Sequence, residues 1–240
     1  VEVFNVAQKL LAMSAHFEEL AKTDPALREA MAHFRGKSET GSEEDKKYFD
    51  VIRQRMYLDK LTNGVVGNHA AYTDESEAPD FHTKYIHVRS DGNDHKAMND
   101  NAGYDQGDLA IRNYANVHRE AADAVLGKGT AKIYRLGGDE FHTLIPKTGD
   151  ISKDHARAAH YTREITKRLG QLVPIAGRFN HSLKIGIAHT ADKADEAVRE
   201  HAKKTKNAMR YAPGQAKTHV HSLLPGHEGA IPLDNEFDLI

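Results

Sequence analysis

Two glycines and two acids separate a pair of strand-like runs in the middle of this 240-residue chain. That arrangement restricts the fold more than any other feature. Lys132 to Leu136 and Phe141 to Ile145 are the runs, and Gly137-Gly138-Asp139-Glu140 between them reads as a hairpin tip. Glycines at such a tip let backbone approach a bulky ligand without side-chain interference. If the strand pleat persists, the side chains of Asp139 and Glu140 point to opposite faces.

Elements alternate around the hairpin. Lys84 to Ser90 is strand-like, with Tyr85, Ile86 and Val88 as its apolar or aromatic members. Asp108 to Leu126 reads as a helix with Ala110, Tyr114, Val117, Ala121 and Ala124 on one stripe and Gly127 as its stop. A helix from about Lys153 to Leu172 follows, then a strand over Leu183 to Ala188. A last helix from about Lys193 to Ala212 ends at Pro213-Gly214. The order β-α-β-β-α-β-α suits an α+β fold, an antiparallel sheet with helices packed on one face. After Val220 the sequence is polar and turn-rich and gives no element.

The N-terminal part reads as helical. Val6, Leu10, Leu11, Met13, Phe17 and Leu20 recur near the helical period. Asp24-Pro25 offers a cap with proline at the first helical position, ahead of a short helix through Leu27, Met31 and Phe34. Gly36 to Glu44 has a linker's composition, and a third helix covers Asp45 to Leu58. The expected organisation is a helical segment and linker over 1–50, an α+β domain over 51–222 and an irregular tail over 223–240.

Charge and composition narrow the function. With 33 basic and 35 acidic residues the net charge is -2, which gives no case for nucleic acid as a partner. There is no cysteine, so disulfides, zinc-thiolate sites and thiol nucleophiles are excluded. No apolar run approaches a membrane span, so no membrane contact is expected from this segment, and the absence of cysteine fits a reducing, cytoplasmic setting. The chain opens on Val1, as a piece of a longer protein would. Sixteen histidines form no H-E-x-x-H pattern, although His219-Val220-His221 could chelate a metal on a strand. Gly127-Lys128-Gly129-Thr130 lacks the spacing of a phosphate loop.

Ser90-Asp91-Gly92-Asn93 ends the first strand, and the hairpin tip can lie beside it. One carboxylate from each of two neighbouring strands is a common way to hold metal ions for nucleotidyl transfer. Asp91 alone would also suit a plain turn. Several stretches in order decide the matter. Asp59-Lys60-Leu61-Thr62 with Asn68, Asp91 to Asp100 (DGNDHKAMND), Gly103 to Asp108 (GYDQGD), Gly137 to Phe141 (GGDEF), Leu183 to Ala188 (LKIGIA) and Ala208 to Ala212 (AMRYA) resemble the successive motifs of the GGDEF-domain family of diguanylate cyclases.

The resemblance implies a palm-like fold, a ferredoxin-like and adenylyl-cyclase-like antiparallel sheet flanked by helices, here with an N-terminal helical segment. It implies condensation of two GTP into cyclic di-GMP with Mg2+ or Mn2+, across a homodimer because each domain of the family holds one GTP. Asp91, Asp139, Glu140 and the carbonyl of Gly92 would bind metal, with Glu140 and Asp139 as the catalytic acids. Gly137 and Gly138 would lie against the nucleotide, Asn99 and Asp108 would hold the guanine edge, and Lys96 and Lys217 would face the triphosphate.

The sequence departs from the family at several points. Asn93 replaces the second acid of D-x-D, His95 an aromatic, Pro213 a phosphate-contacting lysine, and Lys217 an arginine. Lys128 and Ala131 stand where many relatives carry R-x-x-D, so product binding there is not expected. These changes leave as the alternative a non-catalytic GGDEF domain serving as a nucleotide-binding or protein-interaction module.

Overall fold

The structure, a computed structural model, describes residues 21–35, 42–208 and 217–233. The expected helix through Leu20, most of the linker and the end of the last helix with Pro213 lie outside those residues. The chain divides into two compact units between Leu58 and Asp59.

In the first unit α1 (Pro25–Phe34) and α2 (Glu43–Tyr57) pack together. Asp24 caps α1 by accepting from the Leu27 N–H at 3.1 Å, with Pro25 at the first helical position where its missing N–H costs nothing. The i, i+4, i+7 stripe of Leu27, Met31 and Phe34 is buried in one cluster with Ile52 of α2. Arg55 of α2 donates back to the Asp24 carboxylate at 2.5 Å, tying the cap to the second helix.

The second unit contains α3 (His69–Ser76), α4 (Phe81–Lys84), β1 (Tyr85–Gly92), α5 (His95–Ala102), α6 (Tyr104–Leu126), β2 (Lys132–Gly137) and β3 (Glu140–Pro146). It continues with α7 (Ile151–Gln171), β4 (Leu183–Ala188), α8 (Ala191–Ala208), β5 (His219–Ser222) and β6 (Gly229–Ala230). The six strands form one sheet in the order β2-β3-β1-β4-β5-β6. The four strands expected from the sequence make its antiparallel core. Beyond them β5 returns parallel to β4, and β6 pairs antiparallel with β5, so the complete sheet is mixed. These two short strands lie in and beyond the stretch where the apolar pattern fades. β5 carries His219-Val220-His221 and pairs parallel with β4, which needs a crossover, and α8 lies in that connection.

Helices cover both faces of the sheet, not one. On one face Ile86 and Val88 of β1, Phe141 and Ile145 of β3, and Ile185 and Ile187 of β4 pack with α6 and α7. On the other, Tyr85, Leu144 and Tyr134 are buried with Phe81 and packed by Tyr72 of α3 and Ala191 of α8. The burial of β1 fits this cover: Tyr85 to Val88 are buried without alternation, the pattern of a strand covered on both sides. A Cβ on Gly186 would stand 2.2 Å from the carbonyl oxygen of Ala194, so α8 rests directly on the β4 backbone.

Both faces bury histidine. His118 of α6 bonds Ser90 Oγ at 3.0 Å and the Tyr161 hydroxyl at 2.7 Å, and that hydroxyl also bonds Thr143 at 2.9 Å. On the opposite face His87 and His142 bond each other at 3.1 Å. Burial pushes His118 and His87 down to about 3 and holds His142 well below the usual range, with nearby positive groups adding to the effect on His87 and His142. All three are neutral in the fold, whereas in the unfolded chain they protonate near 6.5. Below about pH 6.5 the unfolded state therefore binds more protons, and stability falls as the pH falls towards 3. Thermal unfolding followed by circular dichroism is expected to show a midpoint that drops steeply from pH 7 to pH 5. Each histidine contributes at most about 1.4 kcal/mol per pH unit, and His118→Gln flattens the slope by one such share.

Candidate active site

The site forms where β1 ends. Asp91 stands opposite Glu140 of β3 and opposite Lys184 of β4. Cross-strand partners share a face of the sheet, so two carboxylates and an ammonium lie side by side. Lys184 Nζ contacts Asp91 Oδ1. Arg89, two residues before Asp91 and on the same face, holds Glu140 at 2.9 Å and approaches Asp195 of α8 at 3.9 Å.

Asp139 lies on the other side of the sheet end from Glu140, as the pleat requires. A Cβ on Gly92 would come within 2.4 Å of Asp139 Oδ2, so glycine is what lets this carboxylate lie across the end of β1. The Gly92 N–H donates to the Asp139 carbonyl at 3.3 Å. Burial holds the Asp139 carboxyl above the usual range; the Asp91 charge adds to that while His95 opposes it. Two contacts brace the hairpin tip. Arg135 donates to the Gly138 carbonyl at 2.8 Å and to Asp59 Oδ2 at 3.0 Å, and Asp59 Oδ1 accepts from the Thr62 N–H at 2.9 Å. The Asp59–Thr62 motif thus supports the tip from below.

Asp139 and Gly92 line a cleft of about 470 Å³ together with Asp94, His95, Lys96, Asn99, Asp100 and Tyr104. The cleft therefore joins Lys96 and Asn99 of α5 to Asp139 of the hairpin. Asn99 packs on Gly107, where a Cβ would stand 1.8 Å from its oxygen, and its amide lies 3.3 Å from His95 Nε2. The Asn99 oxygen is buried with no hydrogen-bond partner among the described residues, a state buried polar atoms rarely keep. Asp108 follows Gly107 on α6 and is half-buried. Gly137 and Gly138 are exposed at the tip, with no atom within 4 Å of an added Cβ, and neither lines the cleft. Asp91, Glu140, Asp108 and Lys217 are not among the residues lining the cleft. Lys217 is exposed just before β5.

The motifs give no role to Tyr104, which lines the cleft at 78% exposure, and show Asn93 only as the replacement of an acid. Asn93 is buried, and its N–H donates to the Ser182 carbonyl at 3.0 Å. Its amide donates to Ser182 Oγ and to the Lys217 carbonyl, both at 3.2 Å. The residue is a tie between strand ends. An acid there could not donate either amide bond.

Asp91, Asp139 and the Gly92 carbonyl are hard oxygen donors at one strand end, the type that magnesium or manganese takes. Among the described residues no group of three or more histidines or carboxylates forms a metal cage. Two carboxylates with the remaining positions left to water or phosphate is a usual magnesium arrangement, so the residues fit the ion.

A model of the family described as "Diguanylate cyclase, GGDEF domain" matches residues 70–219. The chain belongs to the GGDEF-domain family. Among curated proteins no sequence matches. Two solved structures share the GGDEF fold seen here. The coiled coil and GGDEF domain of DgcB from Caulobacter crescentus, in complex with c-di-GMP, is 19% identical. It covers 73% of this chain and 92% of its own, with a TM-score of 0.51. Diguanylate cyclase SiaD from Pseudomonas aeruginosa, in complex with its activator SiaC, is 15% identical. It covers 82% of this chain and 75% of its own, with a TM-score of 0.53. Among the described residues no helix is long and apolar enough to cross a membrane.

Within this GGDEF domain the Asn93 tie has a measurable consequence. Asn93→Asp, which restores the acid of the family pattern, sets a carboxylate against the Lys217 carbonyl. It is expected to lower stability by about 1–3 kcal/mol in urea unfolding.

Proposed function

We propose that this domain is a diguanylate cyclase that condenses two GTP into cyclic di-GMP, each of two facing copies holding one GTP. The observation that carries the reading is the cleft in which Gly92 lets Asp139 meet Lys96 and Asn99. Membership of the family and the fold shared with DgcB and SiaD support it.

In this reading Asn99 and Asp108 hold the guanine edge. The Asn99 amide can both donate and accept, and the Asp108 carboxylate accepts from N1–H and the exocyclic amine. Lys96 and Lys217 face the triphosphate as point charges, and Gly137 and Gly138, without side chains, lie against the nucleotide. Asp91, Asp139, Glu140 and the Gly92 carbonyl would hold Mg2+ or Mn2+, which when bound neutralises triphosphate charge. The hairpin carboxylates, Asp139 and Glu140, provide the acceptor for the 3′-hydroxyl proton. The 3′-oxygen then bonds to the α-phosphorus of the facing GTP, the bond to the β-phosphate breaks, and pyrophosphate leaves. A second transfer in the opposite sense closes the ring.

The test is incubation of the purified chain with GTP and magnesium, with products separated by chromatography. Cyclic di-GMP is expected, at a rate that rises faster than linearly with protein concentration because two copies must meet. In Asp139→Ala/Glu140→Ala the rate is expected to fall by about 100-fold or more. Retained GTP with no product even at high protein concentration would instead make the domain a nucleotide-binding module.

A further inference from the structure

The face of the sheet that carries Asp91 holds more charge than the proposed reaction uses. Register sets Asp91 directly opposite Glu140, and like charges so placed repel. The chain supplies its own cations against that repulsion. Arg89 is fixed between Glu140 and Asp195, whereas Lys184 contacts Asp91 alone among the ion pairs of the described residues. The two partners, Lys184 and Asp91, are 25% and 29% exposed at the side chain, so solvent screens them less than it does a surface pair. Lysine is a point charge on a flexible stem and can leave Asp91 without disturbing the strand, which a planar guanidinium held at two ends cannot.

We propose that Lys184 is a resident counter-cation of the site: it occupies Asp91 in the free chain, so that a divalent ion reaches Asp91 only by displacing it. The inference rests on the metal–nucleotide reading of these acids and adds an order to it. A bare ion meets an acid already neutralised and gains little. An ion arriving with the triphosphate brings phosphate oxygens that can receive the released ammonium, so metal and nucleotide bind together and the empty site stays metal-poor.

The test is Mn2+ binding without nucleotide, read from the free-ion signal in electron paramagnetic resonance. The parent, Lys184→Met, Lys184→Ser, Lys184→Arg and Lys184→Met/Asp91→Asn are compared, and folding is checked by circular dichroism. Lys184→Met and Lys184→Ser are expected to bind Mn2+ about tenfold more tightly than the parent. Lys184→Arg should not gain, and the double variant should lose the gain. Two uncharged replacements of different size keep the test valid if one of them folds poorly. Unchanged or weaker Mn2+ binding in the uncharged variants, or a gain that survives Asp91→Asn, would overturn the inference. A parallel equilibrium dialysis reads GTP retained by the parent with Mg2+. Retention alongside unchanged Mn2+ binding in the variants sinks only the role of Lys184. No retention, with no Mn2+ bound by any variant, sinks the metal–nucleotide reading as well.

Discussion

β1 lies between β3 and β4 with Asp91 opposite Glu140 on one side and Lys184 on the other. A slip of one residue in either pairing would carry the slipped partner to the opposite face and bury a charge against α6 or α7. The register is held by what lies further along the same strands. Ile86 and Val88 stand beside Ile145, Thr143 and Ile187 in a core that excludes water. The acid site is thus the polar end of a ladder whose apolar end fixes its alignment.

The same ladder explains why the two hairpin acids have different surroundings. Asp139 is turned toward α5 and the cleft, where burial makes its charge harder to hold. Glu140, one residue on, is turned to the α8 face and held by Arg89. Gly92 is the hinge of this division, because any side chain there would push Asp139 away. The separation between the cleft and the ion-paired acids is set by the pleat, with no flexible loop between them.

Much of this was legible in the residues. The hairpin, the four antiparallel strands and helices α6 and α7 follow from apolar periodicity and from glycine placement. The Asp24–Pro25 cap was readable as chemistry. Other features depend on long-range contacts that periodicity does not carry. Helix α5 (HKAMNDNA) has one fully buried residue, Met98, and no apolar stripe. β5 exists through its pairing with β4, and α3 buries no residue completely. At the site, the motifs single out Asp91, Lys96, Asn99 and the hairpin, of which Lys96, Asn99 and Asp139 line the cleft. In the motif Asn93 is only a missing acid, whereas the fold uses its amide to join β1 to the residues before β4 and β5. Lys184 and Arg89 gave no signal at all, since their significance lies in which strand each faces.

The most direct measurement is a crystal structure of the chain with a non-reacting GTP analogue and Mn2+, using anomalous scattering to locate the ion. The account predicts the base against Asn99 and Asp108, the phosphates near Lys96, and manganese between Asp91, Asp139 and the Gly92 carbonyl with Lys184 moved off Asp91. A nucleotide bound away from this cleft, or manganese absent from Asp91 while the nucleotide is in place, would contradict it.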